Sequence, residues 1–276
     1  MKRRTLSLGV LGLALAAFLA VSMTRTTAQG GNTPRIDSDD IGGVVTSTKG
    51  PEAGVWVIAE TTDLPTKMAR IVVTDDRGRY VIPDLPKGNY NVWVRGYGLV
   101  DSAKTMSAPG RTVNLTATLA PNPRAAAEYY PANYWYALVQ PPDKSEFPGT
   151  GEKGNGISEA MRSQAVWINN IKTSTCTPCH QMGNKATREL PQNLGKFGNS
   201  VEAWNHRLQA GIDGGAGMYA NTNPFGRDRV LKMFADWTDR VAGGEFPQAP
   251  PRPQGVERNF VVTVWDWATD REYFHD

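Results

Sequence analysis

Cysteine and histidine are almost missing from this chain, two and three residues respectively among 276. Two cysteines exclude a disulfide-stapled scaffold and any four-cysteine zinc site. His180, His206 and His275 are the whole supply of imidazole, too few and too scattered for a histidine-rich metal centre. A basic block able to track a phosphate backbone is absent, so no nucleic-acid partner is implied. The short Gly-rich string Gly214-Gly215-Ala216-Gly217 lacks the length and strand-to-helix setting of a phosphate loop. No internal repeat is found. With 40% hydrophobic and 21% charged residues, the composition is that of a soluble globular protein, neither disordered nor polytopic in a membrane.

The long apolar run is confined to the start. Lys2, Arg3 and Arg4 precede an uncharged stretch from Leu6 to Val21, and Thr26-Thr27-Ala28 supplies small residues for a signal peptidase. Residues 1–28 therefore read as a secretory signal peptide cut after Ala28. The alternative is an uncleaved anchor, since Leu6 to Met23 nearly reaches spanning length. Either way the folded part is expected outside the cytoplasm: in the periplasm, or held at the inner membrane facing it. Loss of Lys2, Arg3, Arg4 and Arg25 would turn the formal charge of +3 slightly negative, so the basic balance belongs to the signal.

Residues 29–40 are a polar lead-in. From 41 to 120 the chain breaks into short runs of strand type, with alternation clearest in Val55, Val57, Ala59 and in Tyr90, Val92, Val94. Gly, Pro and Asp punctuate them at Lys49-Gly50-Pro51, Asp76-Arg77-Gly78 and Pro86-Lys87-Gly88, a spacing that predicts a β-sandwich. Gly43-Val44-Val45, Pro51 with Ala53-Gly54-Val55, Thr74-Asp75 with Gly78 and Tyr80, and Leu85-Pro86 with Gly88 and Tyr90 resemble the carboxypeptidase regulatory-like domain. That resemblance implies an all-β, prealbumin-like sandwich with Tyr80 and Tyr90 packed inward. It implies no peptidase, because no histidine lies between 41 and 120. Related sandwiches are often carbohydrate-binding-like, and Trp56 and Trp93 are the residues that could stack on a polysaccharide; packing is the plainer use of a strand tryptophan.

Residues 121–156 form a connector rich in Pro and Gly, with an aromatic knot at Tyr129, Tyr130, Tyr134, Trp135 and Tyr136 expected to pack the two domains together. Across 157–245 the period turns helical. Ile157, Met161, Ala165, Ile168 and Ile171 predict a first helix. Asn199 or Ser200 caps a second carrying Val201, Trp204 and Leu208. Val230, Met233, Phe234 and Trp237 mark a third, ending at Gly243-Gly244. Residues 246–276 are a Pro-rich linker and one strand, which either joins the sandwich or opens a further domain.

Cys176-Thr177-Pro178-Cys179-His180 is the c-type haem attachment motif. Two thiols about one helical turn apart can reach the two vinyl groups of one porphyrin, and the adjacent histidine projects beneath the ring to the iron. A dithiol or disulfide would follow a βαβ unit, and zinc on Cys176, Cys179 and His206 would want a fourth ligand. The arrangement of helix, motif, middle helix, Met-bearing loop and last helix over 155–245 resembles the single-haem cytochrome c family. The resemblance implies an all-α haem domain, one covalent haem c on Cys176 and Cys179, His180 as one axial ligand and Met218 as the other. Met233 and His206 are the rivals, while Met182 lies too near His180. Gly214, Gly215 and Gly217 make the Met218 loop pliable, and Gln181 and Gly183 point to an exposed ring edge. The expected function is outer-sphere transfer of single electrons to or from a redox protein, a dehydrogenase or terminal acceptor, with the sandwich as docking or architectural unit and no intrinsic catalytic residue. The alternatives are the haem-bearing part of a larger periplasmic oxidoreductase, and a carbohydrate-binding or adhesion module with structural haem.

Overall fold

The computed structural model describes residues 33–177, 180–210 and 216–266. The signal segment and Ala28, like Pro178, Cys179 and His275, lie outside the described residues. Two bodies of secondary structure are present, a sandwich-like set of β-sheets and a helical unit, so the fold is mixed β and helix.

One sheet is built on β1 (Ile41–Ser47), flanked on one edge by β2 (Gly50–Pro51) and β5 (Arg79–Ile82), and on the other by the short parallel strands β9 (Arg111–Thr112) and β10 (Leu115–Thr116). The second sheet is antiparallel in the order β12 (Val262–Asp266), β4 (Lys67–Val73), β3 (Trp56–Thr61), β6 (Tyr90–Arg95), β8 (Thr105–Ser107). A small pair, β7 (Leu99–Val100) with β11 (Thr118–Leu119), closes one end. Period-2 alternation sets the register: Val57, Ala59, Tyr90, Val92 and Val94 are fully buried, and Ile41, Val45, Met68 and Ile82 meet them from the other strands. Both expected tyrosines turn inward and find an acceptor. The Tyr80 hydroxyl donates to the Val113 carbonyl at 2.6 Å, and Tyr90 to Pro86 at 2.8 Å. Gly78, at φ +73, closes a turn where a Cβ would meet the Val45 carbonyl at 2.4 Å.

The connector adds to the helical core. α1 (Pro123–Ala127) is capped by Asn122, and α2 (Ala132–Tyr136) follows. Trp135 is fully buried in the cluster that holds Trp167, Phe234 and Trp237, its indole N–H donating to Ala127 at 3.0 Å. At the junction with the sandwich, Tyr97 stands edge-on between Trp56 and Tyr130, with ring centroids 4.8 and 5.5 Å away. Of the expected first helix only α3 (Gln164–Asn170) forms, because Ser163 takes the N-cap. Ile157 and Met161 are buried from turns ahead of it, and Trp167 rather than Ala165 faces the core. A short α4 (Lys185–Arg188) leads to α5 (Ser200–Gln209), where Asn199 caps the first turn and Trp204 and Leu208 are buried. Val201, placed on that face by its spacing, is 40% exposed because Ala203 completes the buried arc instead. α6 (Ala216–Asn221) precedes α7 (Arg227–Ala242), which buries Val230, Met233, Phe234 and Trp237 and stops at Gly243.

After α7 the chain returns to the sandwich. β12 pairs antiparallel with β4 from Val262 opposite Ile71 to Asp266 opposite Lys67, so the helical unit sits between strands of one sandwich. Arg252 fastens the returning segment, with Nε donating to the Tyr97 carbonyl at 2.9 Å and Nη1 to Glu52 at 2.6 Å. No helix among the described residues is long and apolar enough to cross a membrane.

Burial pushes the Glu52 carboxyl up, but the Ser47 hydroxyl and Arg252 outweigh it and hold the group below its usual range. A carboxylate with a lowered folded pKa contributes its full stability above its unfolded value and loses it as pH falls through the folded one. Glu52→Gln should therefore cost about 1–3 kcal/mol at pH 7 and almost nothing well below the carboxylate range. Urea denaturation of both proteins at the two pH values measures this; equal losses at both would refute the clasp.

Candidate cofactor site

The attachment string begins where α3 stops. The five residues Ile171–Thr175 form a π-turn, in which the Cys176 N–H donates to Ile171 five residues back at 3.2 Å. The His180 N–H then donates to the Cys176 carbonyl at 2.9 Å, so one helical turn separates thiol and imidazole. Both side chains line a cavity of about 90 Å³, or about 640 Å³ when all the unfilled space out through its open mouth is counted.

The far walls come from α5, α6 and α7. Trp204 stacks on Phe234 at 4.8 Å with 23° between planes, and its indole N–H donates to Thr238 at 3.1 Å. Those two rings with Leu208 and Met182 make the lining predominantly apolar. Met218 and Asn221 enter from α6. Met218 was expected on a loop; it sits instead on this short helix, following residues 211–215, Gly214 and Gly215 among them, which lie outside the described residues. The cavity thus gathers a thiol, an imidazole and a thioether from two elements far apart in sequence.

The rivals for an axial role are elsewhere. Met233 is 5% exposed in the core beside Phe234, and His206 faces outward, its ring 5.1 Å from Phe197. Neither lines the cavity. Among the described residues no three His, Cys, Asp or Glu side chains gather into an all-protein metal site.

Two features escaped the sequence. Arg207 lines the cavity, although its spacing on α5 carries no signal beyond that of an ordinary surface arginine. The second is the seat of the motif against the connector. Gly183, expected at an exposed edge, is buried because the backbone of α2 crosses it, and a Cβ there would meet the Ala132 carbonyl at 1.9 Å. Its N–H donates to Thr187 at 2.8 Å and its carbonyl accepts from Arg188 at 3.2 Å. Arg188 lies 4.0 Å over the Trp135 ring and pairs with Glu128 on the connector. Burial pushes the Tyr136 phenol up, and the charge of Cys176 adds to that shift, so the aromatic knot reaches the motif itself.

No family model and no curated protein matches the chain. The geometry of the cavity and the chemistry of the motif therefore carry the functional argument.

Gly183→Ala combines a positive φ of +97° with that backbone collision. The dihedral alone costs about 1–3 kcal/mol. The variant should melt several degrees below wild type in a calorimetric scan, whereas an unchanged melting temperature would show that α2 does not seat the motif.

Proposed function

We propose that this chain is an exported c-type cytochrome that passes single electrons to or from a redox protein, its helical part being a cytochrome c-like haem domain joined to a carboxypeptidase regulatory-like sandwich. The observation that carries the reading is the shared lining of one apolar cavity by Cys176, His180 and Met218. The residues fit the group: two thiols of the motif can form thioethers, an imidazole and a thioether can complete the iron coordination, and aromatic walls can cover a flat ring. When bound, haem supplies a one-electron couple at its iron, with Met/His ligation raising the potential relative to bis-His.

The chain's own residues do the rest. Cys176 and Cys179 would hold the ring by covalent bonds, so attachment survives unfolding. His180, next in sequence, would be presented by the same turn. Trp204, Phe234 and Leu208 present apolar surface to the cavity, which lowers the local dielectric and strengthens the pull of every nearby charge. His180 and Met218 would be the residues to hold the iron, and a metal held by two side chains would suit electron transfer better than substrate binding. Polysaccharide binding has less support. Trp93 is 6% exposed with the Lys104 ammonium 4.3 Å over its ring, and Trp56 packs against Tyr97.

The test compares wild type with Met218→Ala after expression in a host with cytochrome c maturation machinery. Wild type should show reduced-minus-oxidised bands and a Met–iron charge-transfer band. The variant should keep covalent haem, lose that charge-transfer band and gain carbon monoxide binding. A variant spectrum identical to wild type would remove Met218 from the iron.

A further inference from the structure

The connector places a carboxylate against the attachment string. Glu128 caps the end of α1; its Oε2 accepts from Arg188 Nη2 at 2.5 Å, and its Oε1 lies 3.5 Å from Arg124. Arg188 is 4% exposed. Its Nη1 donates at 3.2 Å to the carbonyl of Gly183, three residues beyond His180, and its guanidinium lies 4.0 Å over the Trp135 ring. Thr187, its neighbour in the chain, lines the cavity together with Met182, so Arg188 belongs to the layer behind that wall. Its Nε has no hydrogen-bond partner among the described residues, and the Glu189 carboxylate stays 4.0 Å away. A guanidinium is charged at every accessible pH, and salt screens a buried charge little. Left alone, this cation would favour an extra electron in the space beside it. Glu128 offsets that field, and removing one partner of such a pair leaves the other's charge uncompensated. The nearer carboxylate lies outside residues 155–245, on a helix that packs against β7 of the sandwich.

We propose that Glu128 sets the electron affinity of the group bound in this cavity by offsetting the buried charge of Arg188. The proposal rests on the haem reading above and adds a residue that the cytochrome c resemblance does not reach. Glu128 does not line the cavity and acts through Arg188, so it is a positioning residue. One electron enters or leaves the bound group, and no bond in either side chain changes. The potential is thereby a property of the joined chain: the sandwich holds α1, and α1 holds the carboxylate.

Holoprotein is prepared as wild type, Glu128→Gln, Glu128→Asp and Arg188→Gln. Two signals are read: haem stain after SDS denaturation, and the reduced-to-oxidised ratio at a fixed poise. All four proteins should stain. Glu128→Gln keeps the shape and an acceptor for Arg188 but removes the charge, and should raise the ratio about threefold, since a carboxylate 37% exposed is partly screened. Glu128→Asp keeps the charge and should stay within about twofold of wild type. Arg188→Gln removes the buried cation and should lower the ratio about tenfold, which is 59 mV for one electron. Loosened packing would admit water and lower the ratio in every variant, so the rise in Glu128→Gln is the signature of charge. If Arg188→Gln does not accumulate, the sign of that shift decides alone. A stained Glu128→Gln with an unchanged or lowered ratio would overturn the role of Glu128 and leave the haem reading standing. Wild type without stain would contradict the haem reading and this role with it.

Discussion

An apolar hollow at the centre of the helical unit is the constraint on which the other features depend. Trp204 and Phe234 stack along one wall and the motif turn closes another. The chain reaches this wall through α3, which stops at Asn170, and the π-turn Ile171–Thr175 that carries it on to Cys176.

The sandwich is more than a neighbour. The chain leaves it at Leu119, builds the helical unit, and returns at Val262 to pair with β4. Arg252 secures the return, while Arg124 on α1 donates to the Val241 and Glu245 carbonyls at the end of α7 at 3.0 and 2.7 Å. These ties hold both ends of the helical unit, and the α2 backbone seated on Gly183 extends the constraint to the attachment string. Any force on the sandwich would reach the cavity through those contacts.

Much of this was legible in the residues. Alternation at Val55 to Ala59 and Tyr90 to Val94 gave the buried rows of β3 and β6, because a half-buried sheet leaves a period of two. Capping at Asn199 and the apolar stripe of α7 were equally plain. The helix expected from Ile157 misled, since buried turns can carry apolar residues at three- and four-residue steps without helical hydrogen bonds. The motif pointed to Cys176 and His180 and the family resemblance to Met218, and all three line one cavity. Arg207 and the burial of Gly183 had no local signal. Both depend on which backbone segment crosses which, and that is a property of tertiary packing.

The central claim is that two thioether bonds fix one porphyrin to this chain. The most direct measurement is the mass of the exported protein, intact and after proteolysis, from a host able to mature c-type cytochromes. The account predicts one haem added to the whole protein and the same increment on the peptide holding Cys176 and Cys179, absent when both are replaced by alanine. An unmodified mass, with both thiols recovered for alkylation, would contradict it.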